Sequence, residues 1–331
     1  MRAMILAAGY GTRLWPLTED RTKPALPFLG RPLVGYVAEY LGRYGFRDVV
    51  VNLHHRPESV RASLGDGSGY GVRLRYVEEP VILGTSGALD NARHLLDGDA
   101  FVVINGKIIT DINLSDALAT HRRTRALATL VLRPNPRRER FSIVMTRDGM
   151  IEGFGGMPAP LASDNAPDKE SDAPLMFTGI QILEPRIFDY IPHGVFSHST
   201  TDVYPQAIKA GERVVAHVAA GNWYELSTIP RYLEISLALL SEQGRDLDVG
   251  ERCSISAEAD VSETLLWSDV TVETGARVRR AILGDGVRIG PGEVIEDAAV
   301  VRAALVREKE RPPKALRGDF RGDNFVVPLR Q

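Results

Sequence analysis

Two glycines and two cationic side chains near the start of the chain could bind an anion. Gly9 and Gly11 follow an apolar run, and Arg13 and Lys23 come after them. Because glycine has no Cβ, backbone N–H groups at such a turn can approach a phosphate closely. Leu14 stands where a dinucleotide-binding fingerprint has its third glycine, and no Gly-Lys-Ser/Thr follows as in a P-loop. The pattern predicts another kind of phosphate loop, and the open alternative is a tight turn with two solvated cations.

The elements around this loop predict an α/β fold. The run 4–8 is apolar without alternation, which is typical of a parallel strand covered on both faces. Helical and strand patterns then alternate along the chain, and this alternation predicts a mixed, mostly parallel sheet flanked by helices, a Rossmann-like architecture. The predicted elements include helices over 32–44, 86–95, 114–124, 201–210 and 228–242 and strands over 48–53, 72–77, 100–104 and 126–132.

The C-terminal third has a different periodicity. Aliphatic or aromatic residues recur at a spacing of six at 249, 255, 261 and 267 and, after a shift, at 272 and 278 and at 289, 295 and 301, which predicts hexapeptide repeats and a short left-handed parallel β-helix. An irregular β-rich extension is the open alternative. The predicted domains are therefore an α/β domain over 1–244, a β-helix over 245–306 and a tail over 307–331 that packs irregularly.

Composition restricts the partners of the chain. A formal net charge of −3 gives no electrostatic reason to expect nucleic acid or an anionic membrane surface. Met1 leads directly into the first predicted strand, which leaves no room for a signal peptide, so a cytoplasmic location is expected. Cys253 is the single cysteine and can form neither an intrachain disulfide nor a thiolate metal cluster.

Four blocks of the chain together resemble one enzyme family. The opening, with its Thr22-Lys23-Pro24 continuation, resembles the pattern L-A-A-G-x-G-T-R-L-x-P-L-T and P-K-P of the sugar-phosphate nucleotidyltransferases, also called NDP-sugar pyrophosphorylases. Residues 78–88 resemble the family's base-recognition segment, 177–180 its sugar-contacting F-T/S-G-I strand end, and 223–233 its W-x-D-x-G-T-P-E-R-Y-L block. The resemblance spans nearly the whole chain and favours a phosphate loop over a simple turn.

The resemblance implies an activity and a set of site residues. The family joins an NTP and a sugar 1-phosphate to give an NDP-sugar and pyrophosphate, a reaction in which cations and oriented donors do most of the catalysis. Arg13 would hold the departing β and γ phosphates, and Lys23 would contact phosphates near the reacting centre. The implied nucleotide-binding residues are Leu6, Ala8, Gly9, Gly11, Thr12, Glu79, Gly84 and Thr85. The implied sugar-phosphate residues are Asn105, Gly106, Lys107 and Gly179. Ser86 is expected to cap the helix that follows it.

The sequence departs from the family pattern at its metal site. The family holds Mg²⁺ with two aspartates, but Lys107 stands at the first position and Glu225 at the second. Met157 stands where many members have a lysine for the sugar phosphate. Mg²⁺ prefers carboxylate, phosphate and water oxygens, and an ammonium repels it. Three accounts stay open: Lys107 contacts the phosphates as a point charge, Asp111 or Glu225 recruits Mg²⁺ from a shifted position, or the chain binds nucleotide sugar without turnover.

The strand-end sequence and the hexapeptide tail together resemble mannose-1-phosphate guanylyltransferases most. GTP and mannose 1-phosphate are therefore the expected substrates, with Mg²⁺ as the expected cofactor. The rival interpretation is a catalytically impaired regulatory subunit that binds nucleotide sugars. A homo-oligomer formed through the β-helix is also expected.

Overall fold

The structure is a computed structural model that describes residues 1–159 and 173–330. Two compact units emerge from the contacts between its residues. Unit 1 comprises residues 1–8, 37–54 and 64–223, and unit 2 comprises 9–36, 55–63 and 224–331. The boundaries predicted at 244 and 306 stay a prediction.

The strands are, in chain order, β1 (Arg2–Leu6), β2 (Pro27–Phe28), β3 (Arg31–Pro32), β4 (Asp48–Leu53), β5 (Arg73–Glu78), β6 (Phe101–Asn105), β7 (Ile108–Thr110), β8 (Ala128–Pro134), β9 (Val144–Arg147), β10 (Met150–Phe154), β11 (Leu175–Leu183), β12 (Val214–Val218), β13 (Trp223–Glu225), β14 (Leu247–Val249), β15 (Ser254–Ile255), β16 (Asp260–Leu266), β17 (Thr271–Val272), β18 (Arg277–Leu283), β19 (Arg288–Ile289), β20 (Val294–Arg302), β21 (Asp319–Arg321) and β22 (Asn324–Pro328).

The α-helices are α1 (Leu33–Arg43), α2 (Pro57–Leu64), α3 (Gly84–Asn91), α4 (Arg93–Leu96), α5 (Leu114–Thr124), α6 (Tyr204–Lys209), α7 (Ile229–Glu242) and α8 (Ala303–Val306). Short 3-10 turns cover Thr12–Leu14, Lys23–Ala25, Ser68–Tyr70 and Pro185–Tyr190, and a π-helical turn covers Ser199–Val203. The helix predicted over 86–95 is divided into α3 and α4. Among the described helices, none combines the length and apolarity that a membrane span requires.

Unit 1 is built on a nine-stranded sheet in the order β5-β4-β1-β6-β11-β8-β12-β10-β9. The pairs from β5 to β6 and the pair β8–β12 are parallel, and the other pairs are antiparallel. Ala3, Met4 and Ile5 are fully buried in the central strand β1. A strand covered on both faces buries side chains on both, which explains the apolar run without alternation. The mixed α/β fold predicted from the sequence is confirmed.

Unit 2 contains stacked parallel strands. The sheets β14-β16-β18-β20 and β15-β17-β19 pair in parallel register, which is the stacking of a β-helix. Partners follow each other at intervals of 17 residues, as in Leu247, Thr264, Ala281 and Ala298. Three hexapeptides would give a coil of about 18 residues. The shorter coil accounts for the shift in the apolar period.

The coil corners show where the missing residue lies. Left-handed φ angles recur along three edges of the stack, at Arg252, Asp269 and Gly286 (55°, 62° and 68°), at Gly275 and Gly292 (70° and 68°), and at Glu263, Arg280 and Asp297 (47°, 50° and 44°). Successive corners such as 263, 269, 275 and 280 are therefore separated by six, six and five residues. Two faces of each coil obey the hexapeptide period, and the third is one residue shorter.

The tail differs from the irregular packing predicted for 307–331. Its strands β21 and β22 form a hairpin, and β22 pairs antiparallel with β20 from Asn324 to Pro328. This strand covers an edge of the last coil that would otherwise expose unpaired backbone groups. The prediction was wrong for 319–328, because the apolar run 325–327 belongs to a strand that pairs with both β20 and β21.

Candidate active site

The glycine-rich loop of unit 2 is a tight turn packed against Lys23. Gly11 adopts a φ of 69°, and its carbonyl oxygen accepts hydrogen bonds from Leu14 N at 2.8 Å and Thr18 Oγ1 at 3.2 Å. A Cβ added to Gly11 would lie 3.0 Å from Lys23 Cβ. Both the left-handed backbone and this close approach favour glycine. The turn therefore brings the loop and Lys23 together.

The two predicted catalytic cations differ in exposure. Lys23 begins a 3-10 turn and is only 8% exposed, whereas Arg13 is exposed in the turn Thr12–Leu14. Gly9 has open space around the position of a Cβ. An exposed guanidinium can make paired hydrogen bonds to a phosphate, and a buried ammonium acts over a short distance with little screening. The loop thus offers both kinds of cation to an anion.

In unit 1, a buried amide and carboxylate hold the end of β1. Leu6 ends this strand, and Ala7 N donates to Asn52 Oδ1 at 2.7 Å. Asn52 Nδ2 donates to Glu79 Oε1 at 2.5 Å, and Leu83 N donates to Glu79 Oε2 at 3.0 Å. Both oxygens of Glu79 therefore bond to protein donors, which links β1 to the segment before α3. Its predicted contact with the nucleotide stays a prediction.

Sequence reasoning missed Asn52. It is 3% exposed, and the signal was a single amide near the end of strand β4, which is otherwise apolar after Asp48. Buried polar side chains need hydrogen-bond partners, so a lone amide in such a strand indicates a fixed contact. Here it fixes Ala7, next to the predicted nucleotide-binding Ala8, which is itself 8% exposed.

The block at the start of α3 is packed against the segment 195–199. Gly84 has a φ of 77°, and a Cβ there would lie 2.4 Å from the carbonyl oxygen of Ser197. Thr85 Oγ1 accepts a hydrogen bond from Ser199 N at 2.9 Å. Ser86 does not cap the helix as predicted: α3 has no side-chain cap, and the Ser86 hydroxyl bonds to that of Ser199 at 2.9 Å. The close backbone approach at Gly84 accounts for its glycine.

The predicted sugar-side residues cluster at the ends of β6 and β11. A Cβ on Gly179, whose φ is 83°, would lie 2.1 Å from Asn105 Nδ2. Gly106 N donates to Leu6 O at 2.9 Å, so the turn after β6 is fixed to β1. Lys107 follows in this turn, half-buried. Four residues proposed from separate motifs are thus brought into one region of unit 1, namely Leu6, Asn105, Gly106 and Gly179.

A bulge in β11 explains the strand-end glycine. The register of β11 against β8 shifts between Phe177 and Gln181. Thr178 Oγ1 donates to Val131 O at 2.7 Å, and Trp223 Nε1 donates to Thr178 O at 2.9 Å. These bonds satisfy backbone carbonyls at the bulge. Gly179 is therefore held firmly against Asn105.

The residues that the sequence suggests for a metal do not match a pair of carboxylates. Lys107 brings an ammonium, and both oxygens of Asp111 accept hydrogen bonds from Asn222, at 2.5 Å from N and 2.9 Å from Nδ2. Glu225 belongs to unit 2, where it is 6% exposed and its carbonyl oxygen accepts from Arg231 Nε at 2.8 Å. No cluster of three or more His, Cys, Asp or Glu suited to a metal occurs in the part of the chain that the structure describes. We therefore derive no step from a metal held by protein carboxylates.

The comparison with protein families settles the relationship. Residues 2–242 match the family described as Nucleotidyl transferase. The chain belongs to the Nucleotidyl transferase family. This membership confirms the resemblance found in the four sequence blocks. The matched residues include the glycine-rich loop, the sheet of unit 1 and α7.

Individual relatives within the Nucleotidyl transferase family carry different substrates in their names. A UTP--glucose-1-phosphate uridylyltransferase of Synechocystis sp. is 29% identical over 336 residues, covering 94% of this chain and 84% of that protein. A mannose-1-phosphate guanylyltransferase of Mycobacterium tuberculosis is 29% identical over 310 residues, covering 89% and 82%. The crystal structure of HddC from Yersinia pseudotuberculosis has a TM-score of 0.60 at 20% identity, covering 72% of this chain and 99% of that one, and shares the fold.

Proposed function

We propose that the chain transfers a nucleotidyl group from an NTP to a sugar 1-phosphate. In this reaction an oxygen of the sugar phosphate attacks the α-phosphorus, the bond between the α-phosphorus and the bridging oxygen breaks, and pyrophosphate leaves. Charge develops on the departing phosphates, so cations placed in advance lower the barrier. The observation that carries the proposal is the contact between the Gly11 turn and Lys23, with Arg13 exposed in the same loop.

The residues divide between two tasks. Arg13 binds the leaving pyrophosphate, and Lys23 stabilises charge near the reacting phosphorus, while Gly9, Gly11 and Thr12 offer backbone donors. In unit 1, the segment of Glu79, Gly84 and Thr85 receives the base. Each oxygen of the Glu79 carboxylate already accepts one hydrogen bond from the protein, which fixes the backbone of this segment, and each keeps a second lone pair that can accept from the base.

On the sugar side, Asn105 and Gly179 orient the sugar, and Lys107 supplies a point charge to a phosphate. A lysine ammonium is a compact cation with three donors, which suits phosphate oxygens. This role explains why an ammonium replaces a carboxylate at position 107. Magnesium stays a prediction, to be tested by omitting the metal, and so does an oligomer formed through the β-helix.

For the substrates, we propose GTP and mannose 1-phosphate. The sequence Phe177-Thr178-Gly179-Ile180 supports this choice, as does the relative in Mycobacterium tuberculosis that is named a mannose-1-phosphate guanylyltransferase. UTP and glucose 1-phosphate are the competing pair, because the Synechocystis relative is named for them.

A second candidate function is a regulatory subunit that binds nucleotide sugars without turnover. Lys107 and Met157 favour it, because both depart from the family pattern and Met157 is 54% exposed rather than packed in the core. The retained Arg13 and Lys23 favour the enzyme, since a sensor of NDP-sugars has less need of cations directed at a triphosphate.

The experiment is a substrate panel with pyrophosphate release as the readout. GTP, UTP, CTP, ATP and dTTP are each combined with mannose, glucose, N-acetylglucosamine and muramate-type 1-phosphates, with and without Mg²⁺. Arg13→Ala should abolish turnover, whereas Arg147→Ala, an arginine on β9 with a side chain 76% exposed, should not change it. A silent native chain that binds an NDP-sugar and gains activity in Lys107→Asp would favour the regulatory subunit.

A further inference from the structure

The segment that carries Lys23 is anchored at both ends by the C-terminal half of unit 2. Arg21 precedes Lys23 by two residues, and Pro27 follows it by four. Each of them contacts residues from α7 or from the β-helix, more than 200 positions further along the chain. Long-range anchors of this kind restrict the positions that the intervening backbone can adopt.

The anchor at Arg21 is ionic and aromatic. Its Nη2 donates to Asp285 Oδ2, its Nε donates to Asp20 Oδ1 at 2.8 Å, and its Cζ lies 5.0 Å from the centre of the Trp267 ring. The other oxygen of Asp285 accepts from Ser268 N at 2.9 Å, which fixes the carboxylate itself. The guanidinium is therefore held by a charge and an aromatic face of the β-helix at the same time.

The anchor at Pro27 uses the same tryptophan. Tyr232 of α7 is buried, and its hydroxyl donates to Pro27 O. Trp267 Nε1 donates to that hydroxyl oxygen at 3.2 Å. Trp267 is 5% exposed and so joins both anchors within one packed cluster.

We infer that Asp285 and Trp267 are positioning residues for Lys23, so that the β-helix takes part in phosphate binding through the segment 21–27. The inference rests on the proposed function. The Lys23 backbone lies between two points fixed by one cluster, and its Cβ packs under the Gly11 turn. Releasing either anchor moves the ammonium relative to the loop. Displacements of about 1 Å can lower a rate a hundredfold.

The test compares Asp285→Asn and Trp267→Phe with a matched control. Asp269→Asn also removes an ion pair of the β-helix, and both side-chain oxygens of Asp269 accept hydrogen bonds from Arg252, which lies outside the segment 21–27. We expect kcat/KM for nucleotidyl transfer to fall about tenfold or more in Asp285→Asn, to fall in Trp267→Phe, and to change less than about twofold in Asp269→Asn. In a Lys23→Ala background, Asp285→Asn should lower kcat/KM less than about twofold, because the positioning of the Lys23 ammonium has already been lost.

A second readout is independent of turnover. The N–H groups of Ala25 and Leu26 donate to Thr22 O and Lys23 O at 3.0 and 3.1 Å, so their hydrogen exchange reports on the segment. Exchange there should be about tenfold faster in Asp285→Asn and unchanged in Asp269→Asn. The inference is overturned if the native chain is active but Asp285→Asn leaves kcat/KM or this exchange unchanged. A native chain without turnover on any substrate pair would overturn the proposed function first, and this inference with it.

Discussion

The contact between Gly179 and Asn105 makes Gly179→Ala the most informative single substitution. The new Cβ would lie 2.1 Å from Asn105 Nδ2 and 2.8 Å from Asn105 Cγ, both far inside van der Waals contact. The backbone at 179 has a φ of 83°, which L side chains rarely adopt. Alanine must therefore adopt an unfavourable backbone conformation and displace the Asn105 side chain.

The backbone conformation and the clash with Asn105 each lower the free energy of unfolding, and the two effects can be separated by a control variant. A left-handed conformation costs about 1–2 kcal/mol for a residue with a Cβ. Inserting a methyl group into a packed site costs about 1–3 kcal/mol more. The free energy of unfolding should fall by about 2–5 kcal/mol. Gly149→Ala is the matched control, because its φ is 76° and it has open space, so only the first cost applies.

Urea denaturation of both variants, followed by circular dichroism, checks these values, and kcat/KM reports the displacement of Asn105. In an Asn105→Ala background, Gly179→Ala should lose most of its excess cost, because the clashing atoms are gone. The reasoning would be refuted by a Gly179→Ala variant no less stable than Gly149→Ala, or by equal costs of Gly179→Ala in both backgrounds.

Three further predictions follow from the described contacts. Glu79→Gln places an amide N–H group against one of two donors, Asn52 Nδ2 or Leu83 N, and should lower the free energy of unfolding by about 1–3 kcal/mol. The control Glu78→Gln, at an exposed neighbouring position, should change it little in the same urea titration. Burial lowers the pKa of His121 below the usual 6.5, and Glu184 opposes this shift, so the stability that the neutral ring gives is present above pH 6.5 and is lost as pH falls towards the folded pKa. His121→Gln should therefore reduce the pH dependence of the free energy of unfolding below pH 6.5, and an unchanged pH dependence would contradict this prediction. Deleting 318–331 exposes the edge of β20 and should produce association visible by light scattering, while a monodisperse product would count against the capping role of β22.

The sequence predicted the elements whose patterns are local. The buried run before Gly9 predicted the central strand, because Ala3, Met4 and Ile5 are buried and a strand covered on both faces is apolar whatever the order of its neighbours. The hexapeptide spacing likewise predicted the parallel coils. The coil length of 17 residues was not predicted, because one face of each coil has five residues instead of the six that a hexapeptide period implies. Its left-handed corner residues include Arg252, Glu263 and Arg280, which carry no turn signal in the sequence.

The sequence suggested residues for the candidate site but not the contacts that these residues make. Motif spacing identified Gly84 and Gly179, but their neighbours, Ser197 and Asn105, are distant in sequence, and only the folded chain brings them together. Ser86 matched a capping pattern and instead bonds to a serine 113 positions away, because tertiary packing places it inside the first turn. The anchoring of Arg21 by Asp285 spans 264 positions, and nothing in the local sequence could indicate it.

We propose that this chain catalyses nucleotidyl transfer with the cations of its glycine-rich loop. The most direct measurement is ³¹P NMR of GTP and mannose 1-phosphate incubated with the native chain and with Arg13→Ala, in the presence of Mg²⁺. We expect the native chain to form GDP-mannose and pyrophosphate in equal amounts and Arg13→Ala to form neither. Equal product formation by both chains would contradict the role of the loop. A native chain that forms no NDP-sugar from any NTP and sugar 1-phosphate would contradict the claim itself.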